Sequence, residues 1–183
     1  MFEKGSFGYT FQNVPVTYIS DNGYGVQAIY NTLDAMKEII NKSIRNWKVR
    51  DFATWVVRNV APHDKAEEAR AVFDFVQQKV RYCYDPSGLE MLTTPDVLID
   101  KIRLGNIPTE DCDGFTILSL SLLKSLGFPV ALRAAGYKPD KKFSHVYGLV
   151  RIKNKWVPFD AIREEFSLGM EAPNPTILKD VEV

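Results

Sequence analysis

Three residues of this 183-residue chain, Cys112, His145 and Asp160, have the types and the order needed for covalent catalysis by a thiol. Cys112 stands in Thr109-Glu110-Asp111-Cys112-Asp113-Gly114, directly before an apolar stretch of helical character. The thiolate is the reactive form of cysteine, and a helix amino end with a neighbouring imidazolium can lower its pKa from about 8.5 to between roughly 3.5 and 7.5. A histidine on one strand then acts as acid and base, while an aspartate on the next strand fixes its tautomer and ring orientation. Such a set predicts a cysteine hydrolase or an amide transferase. The flanks work against it, because Glu110, Asp111 and Asp113 disfavour a thiolate by like-charge repulsion. Asp111 and Asp113 are read first as caps for the free N–H groups of the helix that follows. Cys83 has nothing nearby to activate it and is expected as a packed strand or helix-end residue. His63, in a polar loop ahead of a helix cap, is set aside.

The elements that must carry these residues can be read from periodicity. Ile29, Leu33, Met36 and Ile40 keep helical spacing from about Val26 to Asn46, and a second helix is expected from Arg50 to Val60, ahead of Pro62. Asp64 with Glu67 resembles a capping box for a third helix, whose stripe is Ala66, Ala69, Phe73, Val76 and Val80. Thr94-Pro95 opens a fourth helix to about Arg103, with proline in its first turn, and Gly105 to Glu110 reads as loop. The helix that carries Cys112 has apolar residues around its whole circumference, so it is expected to be buried on most sides. Gly127 is its left-handed stop, with Pro129 beyond.

From there the period changes. Val130–Tyr137, Phe143–Ile152 and Lys155–Asp160 read as strands, so helices followed by an antiparallel sheet give an α+β domain. A two-residue hairpin loop at Lys153-Asn154 pairs Ile152 with Lys155 and sets Asp160 opposite Tyr147. His145 then shares a face with Tyr147 and lies diagonal to Asp160, roughly 7–8 Å away at the backbone. Residues 1–25 read as an arm with a strand or hairpin and a turn at Asp21-Asn22-Gly23, residues 26–163 as the catalytic domain, and residues 164–183 as a tail.

Composition narrows the function classes. Hydrophobic residues make up 45% and charged residues 25%, and Lys+Arg and Asp+Glu both number 23. That balance predicts no nucleic-acid partner. Two cysteines and two histidines without a Cys-x-x-Cys do not make a structural zinc site. The amino terminus lacks the apolar core of a secretory signal, and Phe115 to Leu126 is too short to cross a bilayer. A soluble, cytoplasmic protein without a membrane partner is expected, and a mature secreted form would read the same way.

The pieces Val80-Arg81-Tyr82 with Asp85-Pro86, Thr94-Pro95, Asp111-Cys112-Asp113, Leu126-Gly127-Phe128-Pro129-Val130, Phe143-Ser144-His145-Val146-Tyr147 and Trp156-Val157-Pro158-Phe159-Asp160 occur in that order. Together they resemble the transglutaminase-like superfamily, whose fold is related to papain, from about Val26 to Asp160. Bacterial and phage-associated members of this type are mostly presumed peptidases. The resemblance implies Cys112 as nucleophile, His145 as general base, Asp160 as the orienting acid and a protein or peptide substrate, with no cofactor required. It also implies a second oxyanion donor from the segment upstream, Tyr82 or Tyr84, beside the backbone N–H of Cys112. Its calcium-dependent periplasmic cysteine proteases give Asp111 and Asp113 an alternative role as calcium ligands, although calcium takes six to eight oxygens. Two positions depart from the family's box: Gly114 stands where it often has aspartate, and Glu110 where a glycine is usual. Three functions remain open at this point: amide hydrolysis, acyl transfer to an amine, and a non-catalytic binding or assembly module of the same fold. Trp156 is expected in the core, or as a shield beside the His145–Asp160 contact.

Overall fold

The helix that begins at Cys112 is the hub around which the chain is wrapped. A computed structural model describes residues 7–11, 14–20, 26–85 and 89–183, with side chains from 28 to 85 and from 91 onward. Strands β1 (Phe7–Phe11) and β2 (Val14–Ser20) precede helices α1 (Val26–Ser43), α2 (Trp47–Val56) and α3 (Lys65–Lys79). Then come β3 (Arg81–Tyr82), β4 (Leu89–Thr93), α4 (Pro95–Arg103), β5 (Thr109–Glu110) and α5 (Cys112–Ser125). Strands β6 (Val130–Gly136), β7 (His145–Ile152), β8 (Lys155–Phe159) and β9 (Ile177–Glu182) complete an α+β fold. Helices α1 to α4 all contact α5, whose other side lies on β7 and β6.

Local chemistry explains most boundaries. Asp64 accepts the Glu67 N–H at 3.2 Å and caps α3 as expected, but the Glu67 carboxylate pairs with Arg70 rather than closing a reciprocal box. Helix α2 starts three residues earlier than expected, because the Asn46 side chain caps it by accepting the Lys48 N–H at 3.0 Å. It also ends earlier, where the Arg58 guanidinium takes the Trp55 carbonyl and lies over the Trp55 ring. At the end of α5, Gly127 (φ 83°) donates to Lys124 O and Phe128 N–H to Leu123 O, a Schellman stop.

The carboxyl-terminal sheet is antiparallel in the order β8-β7-β6-β9. Lys153 and Asn154 both have positive φ, 47° and 65°, as a two-residue hairpin turn requires, and Ile152 pairs with Lys155. Even-numbered residues of β7, Val146 and Val150, belong to the main core with α5. The odd-numbered Tyr147 and Leu149 form a second cluster with Ala131 and Ala135 on the opposite face. Gly148 makes close docking of α5 possible: a Cβ there would stand 2.6 Å from Leu120 Cδ2. Thr116 Oγ1, one helical turn along from Cys112, donates to Val146 O at 3.3 Å.

Three elements depart from the sequence reading. Residues expected as a tail supply β9, which pairs along β6. The amino-terminal hairpin β1-β2 is extended by β4, in a segment for which no element was expected. The last two residues of the expected Gly105–Glu110 loop form β5, paired in parallel with β3. The turn at Asp21-Asn22-Gly23 lies outside the described residues. Among those residues, no helix is long and apolar enough to cross a membrane.

Candidate active site

Asp160 follows β8 directly and is 1% exposed, and its Oδ2 lies 2.9 Å from His145 Nε2 at the start of β7. The contact is the diagonal pairing that the hairpin register demands. It ties one ring nitrogen, Nε2, to a carboxylate and leaves Nδ1 outside that contact. The imidazole also stacks on the Tyr147 ring, with centroids 5.3 Å apart and planes 27° from parallel.

Cys112 is the first residue of α5 and is partly buried. Its S–H donates to Asp113 Oδ1 at 3.5 Å, while the backbone N–H of Val146, the residue after His145, favours its ionised form. Neither of these contacts is to the imidazole. Burial pushes the thiol well up, and Asp113 and then Asp111 push it further, with only the Val146 N–H named in opposition. The expectation of a depressed thiol pKa therefore does not hold for this arrangement: desolvation and two carboxylates outweigh the helix end. The resting sulfur keeps its proton.

The acidic flanks divide their work. Asp111 caps α5 as expected, its Oδ1 accepting from Asp113 N–H at 3.0 Å and Gly114 N–H at 3.4 Å. Asp113, 3% exposed, accepts the hydrogen bond of the thiol with its side chain instead of capping. The ligand atoms of Asp111, Cys112 and Asp113 lie within 4.8 Å of one another. As a calcium site the trio fits poorly: one donor is a thiol, one carboxylate oxygen is spent on amides, and calcium takes six to eight oxygens.

Glu110 and Gly114, the two departures from the family's box, form one packed pair. A Cβ at position 114 would stand 2.3 Å from Glu110 Oε2 and 2.6 Å from its Cβ. The buried Glu110 side chain fills the space over the first turn of α5, so only glycine fits beneath it. Burial lifts the Glu110 carboxyl to about 7, against a hydrogen bond with Thr93 and the charge of Lys101, while Asp111 and Asp85 add to the rise. Both departures stand in the sequence, but their packing together depends on how the chain turns from β5 into α5.

Tyr82 and Tyr84, the suggested oxyanion donors, meet edge to face at 5.1 Å. Burial, then Cys112 and Tyr84, push the Tyr82 phenol up, so it retains its O–H beside the thiol. Tyr84 is 82% exposed. Cys83, expected to be packed, is exposed instead: it follows the two-residue strand β3, and its sulfur points to Tyr84 O at 3.6 Å. Trp156 is neither core nor shield. It pairs with Arg151 on β8 and is 37% exposed.

Residues 50–161 match the transglutaminase-like superfamily. The chain belongs to that superfamily. No curated protein matches it by sequence. Among solved structures it is similar to a presumed protease of Parabacteroides distasonis ATCC 8503, at 11% identity and a TM-score of 0.58, over 82% of this chain and 28% of that one. It is also similar to a presumed cysteine protease of Cytophaga hutchinsonii, at 14% identity and a TM-score of 0.49, over 91% and 58% of the two chains. A structure described as a TGase aligns at 14% identity and a TM-score of 0.36, over 84% and 37%. The chain thus spans less than two thirds of each of these proteins, and the likeness to the first is one of fold.

Proposed function

We propose that this member of the transglutaminase-like superfamily is a cysteine amide hydrolase acting on peptide or isopeptide bonds, with Cys112, His145 and Asp160 as its triad. The observation that carries the reading is the 2.9 Å contact between His145 Nε2 and the buried Asp160, with a helix-start thiol whose ionised form is favoured by the N–H of the next residue, Val146. Because the thiol is pushed up, the proton moves during attack rather than before it. As Cys112 Sγ bonds to the substrate carbonyl carbon, the S–H turns from Asp113 to Nδ1 of His145. Asp160 stabilises the imidazolium so formed and holds the tautomer. The backbone N–H of Cys112 and the Tyr82 hydroxyl receive the developing oxyanion, where losing one donor typically costs about 10²–10³ in rate.

His145 then returns the proton to the leaving amine, and a thioester on Cys112 remains. Water, deprotonated by His145, opens the thioester and releases the acid. The test is cleavage of a peptide and isopeptide library by wild type, Cys112→Ala and His145→Ala. Loss of cleavage in both variants is expected, and cleavage that survives in both overturns the mechanism. Incubation with a glutamine donor and a labelled amine distinguishes transfer, because a labelled product would make the acceptor an amine rather than water.

A further inference from the structure

The register of the last sheet sets four side chains in one row across it. Tyr147 of β7 pairs with Arg133 of β6, and Arg133 pairs with Asp180 of β9, while Asp160 follows β8 on the far side of Tyr147. Three of the four, Tyr147, Arg133 and Asp180, are tied together with Glu171. Arg133 donates Nε and Nη2 to the two carboxylate oxygens of Asp180, both at 2.7 Å, and Nη1 to Glu171 Oε2 at 3.1 Å. Tyr147 donates its hydroxyl to the same Glu171 oxygen at 2.5 Å. Its other end is the ring stacked on His145. Burial and Glu171 hold the Tyr147 phenol in its protonated form, so the donation is maintained.

Glu171 and Asp180 both come from the last twenty residues, beyond the span matched by the family. That segment is firmly anchored: Gly169 N–H donates to Pro158 O, Gln77 donates to Arg163 O and Phe166 O, and Thr176 Oγ1 donates to Gly136 O. Without Glu171 the Tyr147 hydroxyl would lose its acceptor, and packing alone would set the buried ring against the imidazole.

We propose that the carboxyl-terminal segment completes the site: Glu171, clamped by Arg133, holds the Tyr147 ring against His145, making Glu171 and Tyr147 positioning residues for the acid–base group. The inference rests on His145 being that group. A cation within about 6 Å of an aromatic ring centre is stabilised by it, so the same stack favours the imidazolium formed during attack.

The test uses the full chain with Tyr147→Phe, Glu171→Leu, both together, and Glu171→Gln. Alkylation of Cys112 by iodoacetamide is followed with exposed Cys83 as internal reference, and the His145 ring resonances with His63 as reference. Each single change should slow Cys112 roughly 3- to 30-fold, the range that such ring–cation contacts span. Each should also move the His145 resonances, and the double variant should be no slower than Glu171→Leu, since both changes break the Tyr147–Glu171 bond and Glu171→Leu also removes the Arg133 contact. Glu171→Gln, which still accepts from the hydroxyl, should recover most of the rate. Unchanged rates and resonances in both single variants, or additive losses in the double one, overturn the proposal. If Glu171→Leu does not fold, Tyr147→Phe, which loses one hydroxyl, decides alone. His145→Ala separates the two claims: if it too leaves Cys112 alkylation unchanged, the triad fails and this inference with it. If it alone slows alkylation, only the inference fails.

Discussion

At the scale of single residues, the proposed mechanism sets a thiol that resists ionisation against an imidazole that would accept its proton. Asp160→Asn keeps the shape and removes the charge behind the ring, and is expected to lower turnover by up to about 10⁴ with the fold intact by circular dichroism, as in the serine-protease triad. Turnover within tenfold of wild type would show that Asp160 only packs. Glu110 offers a separate test, in stability. Its folded carboxyl titrates at about 7 against an ordinary 4.5, so the folded state holds a proton that the unfolded chain has released. Stability is therefore greatest below about pH 4.5 on this account and falls as pH rises toward 7, by on the order of 3 kcal/mol in all. Glu110→Gln cannot release that proton. Its melting temperature should gain on wild type through this window and level off above it, and a difference independent of pH would contradict the assignment. Cys112, His145 and Asp160 were legible in sequence because their types and order carry the chemistry. The state of the thiol was not, because it depends on burial and on which way Asp113 points.

At the scale of elements, the machinery depends on how closely α5 lies on β7. Gly148→Ala would place a methyl 2.6 Å from Leu120 Cδ2 and is expected to cost about 1–3 kcal/mol in denaturant unfolding. Leu120→Ala in the same chain should recover part of the Gly148→Ala loss, and strict additivity would place the strain elsewhere. Gly114→Ala is expected to destabilise the start of α5 in the same way, and Glu110→Ala to relieve only part of it, since the Glu110 Cβ, 2.6 Å from the new methyl, remains. The His145–Asp160 pairing was readable in advance because a two-residue turn fixes strand register, and register fixes which side chains share a face. The start of α2 was missed because a single asparagine cap outweighs the apolar period around it. Strand β9 was missed because Ile177 and Val181 are interleaved with Lys179, Asp180 and Glu182, a charged pattern suited to a sheet edge.

At the scale of the molecule, the helices and the sheet serve to bring a helix start and two strand ends to one place, and the last twenty residues close the outer face of that sheet. The sequence had no local signal for this closure: Glu171 lies between the turn at Gly169 and two prolines, Pro173 and Pro175, and its partners Tyr147 and Arg133 lie 24 and 38 residues away. Long-range pairing of this kind appears only once the strand order is known. The account stands or falls on whether His145 activates Cys112. The most direct measurement is the rate of Cys112 alkylation near neutral pH in wild type and in His145→Ala, with Cys83 in the same chain as the control. The account predicts that Cys112 outpaces Cys83 in wild type and loses about 10²–10⁴-fold with the histidine gone, the usual contribution of a positioned base, while Cys83 is unaffected. A Cys112 rate that is the same in both proteins would contradict it.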